Sequence, residues 1–130
     1  MRLRFEQREL ELLCAAERLR GAAMARTARR DELRKALSLA KAGQKVGRGV
    51  PGGSVVLEEN EVELLQEAVQ FAIAEVQAAV RPAVNGTAQQ DVALEAFPEL
   101  VEKGSWRAFG LSRELEALAA RLAAALKGGG

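Results

Sequence analysis

Phe5-Glu-Gln-Arg-Glu-Leu-Glu-Leu-Leu-Cys-Ala-Ala-Glu-Arg18 returns 52 positions later as Leu57-Glu-Glu-Asn-Glu-Val-Glu-Leu-Leu-Gln-Glu-Ala-Val-Gln70, with six identities in fourteen aligned positions. Each stretch reads as the start of a long helix. In the first, Phe5 and Leu10 are spaced as a hydrophobic staple around a start near Glu6, and Glu9 stands where a carboxylate reaches back to free amides. Leu57, Glu58, Glu61 and Val62 repeat that arrangement. The simpler account of the echo is two similar helix starts, and the other is a duplicated helical hairpin. The segments that would complete the hairpins, Asp31 to Ala42 and Ser112 to Lys127, match too loosely to decide between them.

Working outward, Phe5, Leu12, Ala16, Leu19 and Ala23 fall on one line of a helix, a stripe that faces a core. Arg26, Arg29 and Arg30 interrupt the stripe, but neither Gly nor Pro lies between Met24 and Ala42. A continuous or kinked helix is therefore expected to Ala42, with Gly43 ending it. A loop follows over 44–54, and its Val50-Pro51-Gly52-Gly53 has the composition of a type II turn. The third helix, Glu58 to Val80, carries Val62, Leu65, Ala68, Val69, Ala72, Val76 and Val80 on a wide apolar face, and Arg81-Pro82 stops it. The pattern weakens over 83–110, where Thr87 suits the cap of a short helix, Pro98 the start of a single turn, and Gly104 to Phe109 a loop. A last helix is expected from a Ser112 cap to Lys127, with Gly128 to Gly130 terminating it.

One domain accommodates 130 residues. Ala, Leu, Glu and Arg dominate, aromatic residues amount to 4%, and Tyr and His are absent. The expected fold is all-α: a single-domain antiparallel bundle of about four main helices over 1–130, essentially without sheet. Cys14, the one cysteine, has no disulfide partner within the chain, and the N-terminus carries no apolar signal core, so a bacterial cytoplasmic location is expected. The most apolar run, Ala68 to Val80, is too short and too polar for the roughly 20 residues of a membrane span.

The residues provide little for chemistry. With no His and one Cys, neither a metal site nor a nucleophile with an imidazole base is expected, and no cofactor is assigned. Gly47-Arg-Gly49-Val-Pro-Gly52 matches G-x-G-x-x-G in letters, but the dinucleotide fingerprint requires a strand before it and a helix directly after. An enzyme is not expected. Glu75 falls on the apolar face of the third helix, so a buried ion pair with Arg18, Arg20, Arg81 or Arg121 is expected there.

Charge is divided along the chain, about +7 over residues 1–54 and −6 over the remainder. Ten basic residues stand between Arg18 and Arg48 against Asp31 and Glu32. Such a chain gains electrostatic attraction for another copy of itself and little for a polyanion, and no aromatic residue is interleaved to stack on bases. The expected function is that of a small non-enzymatic helical interaction or structural protein, self-associating or a subunit of a larger assembly. The alternative is a nucleic-acid-associated protein using the basic stretch 18–48. The candidate partner surface comprises Arg26, Arg29, Arg30, the Trp106 and Phe109 pair, and the seam Leu115, Leu118, Leu122.

Overall fold

The computed structural model describes residues 1–27, 30–80 and 99–128. Among them are four helices, α1 (Gln7–Thr27), α2 (Arg30–Gly47), α3 (Glu59–Val80) and α4 (Glu99–Lys127), and two short strands, β1 (Arg2–Arg4) and β2 (Ser54–Val56). The fold is an all-α bundle carrying a small antiparallel ribbon.

Both helix starts are built as their sequences imply. The Glu6 amide donates to the Glu9 carboxylate at 2.9 Å, and the Glu58 amide donates to Glu61 at 2.9 Å, so the third helical residue satisfies an amide the helix leaves free in each case. Phe5 and Leu10 are buried at the first start, Leu57 and Val62 at the second. Upstream of each staple the chain is extended, and the two extensions pair: Arg2 with Val56, Leu3 with Val55, Arg4 with Ser54. The ribbon is an addition to the expectation of essentially no sheet. Its strands are too short to show a period of two, and each exists because the other lies beside it. The echo thus covers a strand, a staple, a cap and a helix, and a second helix follows in each half.

The continuous helix expected to Ala42 is two helices. A single rod from Glu6 to Ala42 would run about 55 Å, far beyond a core that 130 residues can enclose. Instead α2 packs against α1 and buries Leu39, Ala42 and Val46. Gly43 does not end α2, which continues to Gly47. A Cβ at Gly43 would stand 2.6 Å from the Glu17 side chain, so the missing Cβ leaves room for α1 and α2 to approach.

The type II turn is present. Gly53 donates to the Val50 carbonyl at 2.8 Å, and Gly52 has φ +76°, the left-handed value that this turn requires at its third residue. Gly49 is packed by Val46, Val55 and Leu10. Helix α3 begins at Glu59 and buries Val62, Leu65, Ala68, Val69, Ala72 and Val76 as its pattern predicts.

The largest correction lies in α4. Residues 104–109, expected as a loop, are helical, and Ser112 lies inside the helix and does not cap it. Gly104 and Gly110 are tolerated there at about 1 kcal/mol each relative to alanine, a cost that helix packing overrides. The short helix expected from Thr87 to Phe97 falls outside the described residues. Leu111, Leu115, Leu118 and Leu122 of α4 complete the core with α3, and Gly128 donates to the Ala124 carbonyl at the end.

Candidate functional site

Among the described residues the carboxylate most enclosed by the fold is Glu61, only 4% exposed. Besides the Glu58 amide it accepts from Lys45 Nζ of α2 at 2.6 Å. Burial alone would raise its pKa, but the two hydrogen bonds and the Lys45 and Lys41 charges prevail and hold it below the usual carboxylate range. Glu9, its counterpart in the first half, pairs with Arg121 of α4, whose guanidinium also donates to the Arg4 carbonyl and lies 5.3 Å from the centre of the Phe5 ring. Each half therefore sends its cap carboxylate to a cation on the following helix of the other half. The signal for Glu61 was its capping position, which marks a helix start but not the depth of burial.

The ion pair expected at Glu75 is not formed among the described residues. Glu75 is half-buried, and among the described residues no hydrogen bond or salt bridge engages it. The reason is positional. Its wheel neighbours Leu64 and Phe71 lie at the rim of the core, only partly buried, so Glu75 faces the boundary and not the interior. Of the expected partners, Arg20 lies over the Phe71 ring at 4.9 Å with its Nε buried and without a hydrogen-bond partner, Arg121 is held by Glu9, and Arg81 is outside the described residues.

The proposed leucine seam is not an open surface: Leu115, Leu118 and Leu122 are buried in the chain's own core. Their spacing fits an interior helix face as well as a partner seam, and only the position of α3 decides which. Trp106 and Phe109 belong to the helical backbone of α4, and their side chains lie outside the described residues, as does Arg29. Arg26 and Arg30 are exposed.

A groove of about 380 Å³ runs beside α1, lined by Gln7, Arg8, Glu11, Cys14, Arg18 and Gly49 among others. Two of its polar groups are already engaged: Arg8 Nε donates to Glu114 at 2.7 Å and Gln7 donates to Glu11 at 3.1 Å. Burial raises the Cys14 thiol pKa, with Glu17 adding to the rise and Arg18 opposing it, so the thiol is a packing group with little thiolate character. No group of three or more Cys, Asp or Glu among the described residues is placed to hold a metal ion. The glycine string at 47–52 follows a helix and precedes a strand, the reverse of a dinucleotide loop, and Gly49 and Gly52 serve packing and turn geometry.

What does stand open is α2. Its inner face spends Leu39, Ala42 and Val46 on the core, while Leu33 and Leu37 on the opposite face are 46% and 68% exposed. Arg30, Arg34 and Lys41 flank them, all exposed and none in an ion pair among the described residues. The outer face of α3 carries the opposite charge: Glu59, Glu63 and Glu67 are exposed, and the helix holds no basic residue. Leu33 and Leu37 were missed because a two-sided apolar helix cannot be phased until its core side is known.

These features define an all-α helical bundle with a basic, leucine-bearing helix face open to solvent and a buried carboxylate, Glu61, held in a structural pair. No protein-family model matches the chain, and neither curated proteins nor solved structures show significant similarity to it. Among the described residues no helix is long and apolar enough to cross a membrane.

Proposed function

We propose that this chain is a non-enzymatic helical interaction protein of the bacterial cytoplasm that associates with itself or serves as a subunit of a larger assembly. The observation that carries the reading is the outer face of α2, where Leu33 and Leu37 stand open between unpaired cations. Covering a leucine of this kind contributes about 1 to 2 kcal/mol, and protein surfaces supply the apolar cover that water and phosphate do not. Light scattering at micromolar concentration tests the proposal: an average mass above that of one chain, falling with dilution, is the expected result, and a strict monomer with no captured protein partner would refute it.

A second reading, nucleic-acid association, draws on the α1 to α2 hairpin. Because the chain folds back, exposed Arg26, Arg30, Arg34 and Lys35 come from two adjacent helices and not from one extended rod. Phosphates would be recognised by those cations with a steep salt dependence. The two leucines between the cations gain nothing from a phosphate backbone, which ranks this reading second. Fluorescence anisotropy with duplex DNA and RNA separates the two.

A further inference from the structure

We infer that the partner of the α2 outer face is the acidic outer face of α3 on a second copy of this chain. This rests on the self-association reading and assigns its surfaces. The α2 face combines two apolar side chains, Leu33 and Leu37, with three cations, Arg30, Arg34 and Lys41, while Asp31 and Glu32 turn away from it on the helical wheel. Two α2 faces brought together would oppose cation to cation, so this face does not dock on itself. The complementary charge lies on the same molecule. Glu59, Glu63 and Glu67 recur every fourth residue along the outer side of α3, and Gln70, Ala74 and Gln77 continue that side without a further charge.

The lengths agree as well. Arg30 to Lys41 spans about 16 Å of helix axis and Glu59 to Glu67 about 12 Å, so one helix laid along the other brings all three cations within reach of carboxylates. Within one chain the pairing is not made. Among the described residues the only α2 to α3 ion pair is that of Lys45 with the inward Glu61, and Arg30, Arg34, Glu63 and Glu67 remain without one. The contact joins unlike faces, so every copy carries both halves of it and mass rises with concentration until the assembly closes.

Charge reversal tests the assignment. R30E/R34E and E63R/E67R alter exposed positions only and should keep the wild-type circular dichroism and thermal midpoint. Each is expected to weaken self-association about tenfold or more in sedimentation equilibrium, and the four changes combined in one chain are expected to restore it. L33S/L37S, which leaves charge unchanged, should weaken it comparably. Wild-type self-association that neither reversal touches, or that the combined variant fails to recover, overturns this inference while leaving the self-association reading intact. A monomeric wild type overturns both. Duplex DNA binding that R30E/R34E abolishes and E63R/E67R strengthens, without any change of mass, would replace them with the nucleic-acid reading.

Discussion

Leu3 of β1 faces Val55 of β2 across the ribbon, and the two hold equivalent places just upstream of the two matching helix starts, since 55 lies 52 residues beyond 3. The neighbouring pairs, Arg2 with Val56 and Arg4 with Ser54, exchange roles about that central pair, so the strands are related by a local two-fold. The same exchange governs the cap carboxylates, Glu9 reaching to α4 and Glu61 to α2. Identical sequence positions nevertheless sit in different surroundings, and that difference can be measured.

Glu61→Ala should cost about 1 to 3 kcal/mol in urea unfolding, because it frees the Glu58 amide and leaves Lys45 without its partner. Glu9→Ala should cost less, about 1 kcal/mol, because its pair with Arg121 is more open to solvent. Equal losses would show that burial does not separate the two caps.

Acid should act on Glu61 and Glu17 with opposite signs. The folded-state pKa of Glu61 is depressed, so its stabilisation is complete above the unfolded value of about 4.3 and is lost as pH falls through the folded value beneath it. The Glu17 pKa is raised, by burial with Arg18 opposing, so its ionised form burdens the folded state at neutral pH and the burden lifts as pH falls through its folded pKa. E17Q is therefore expected to stabilise the protein at pH 7 and to match wild type near pH 3, whereas E61Q is destabilised at pH 7 and converges in acid. Urea titrations at the two pH values decide both.

Gly43→Ala and Glu17→Ala should be coupled. An added Cβ at Gly43 meets the Glu17 carboxyl group, so alanine there gains helix propensity only at the expense of displacing that side chain. In the E17A background the obstruction is absent and G43A should stabilise by about 0.5 to 1 kcal/mol. Additive single and double mutants would contradict the contact.

Gly49→Ala should destabilise by about 1 to 3 kcal/mol, since its Cβ would stand 3.0 Å from both the Val46 carbonyl oxygen and a Val55 methyl and 3.2 Å from a Leu10 methyl. Gly47→Ala, with nothing within 4 Å, should be neutral or mildly stabilising. Thermal unfolding of the pair reads the contrast.

Cys14 should react slowly with a thiol reagent at pH 8 in the folded protein and rapidly in urea, because burial raises its pKa. Fast modification without denaturant would contradict that environment.

Local rules written in the sequence determined both helix starts, the type II turn at Val50 to Gly53, the inward face of α3 and the all-α class, because caps, staples and turn glycines act within a few residues. Tertiary structure alone decided the rest. The ribbon depends on two segments more than 50 residues apart meeting, and the break between α1 and α2 depends on a rod too long for its core. Gly104 and Gly110 are helical because packing outweighs propensity. Which apolar stripes became core and which stayed open was settled in the same way. Leu115, Leu118 and Leu122 are covered by the chain itself while Leu33 and Leu37 are not, and the helical period is identical in both, so only the position of the neighbouring helices distinguishes a core face from an open one.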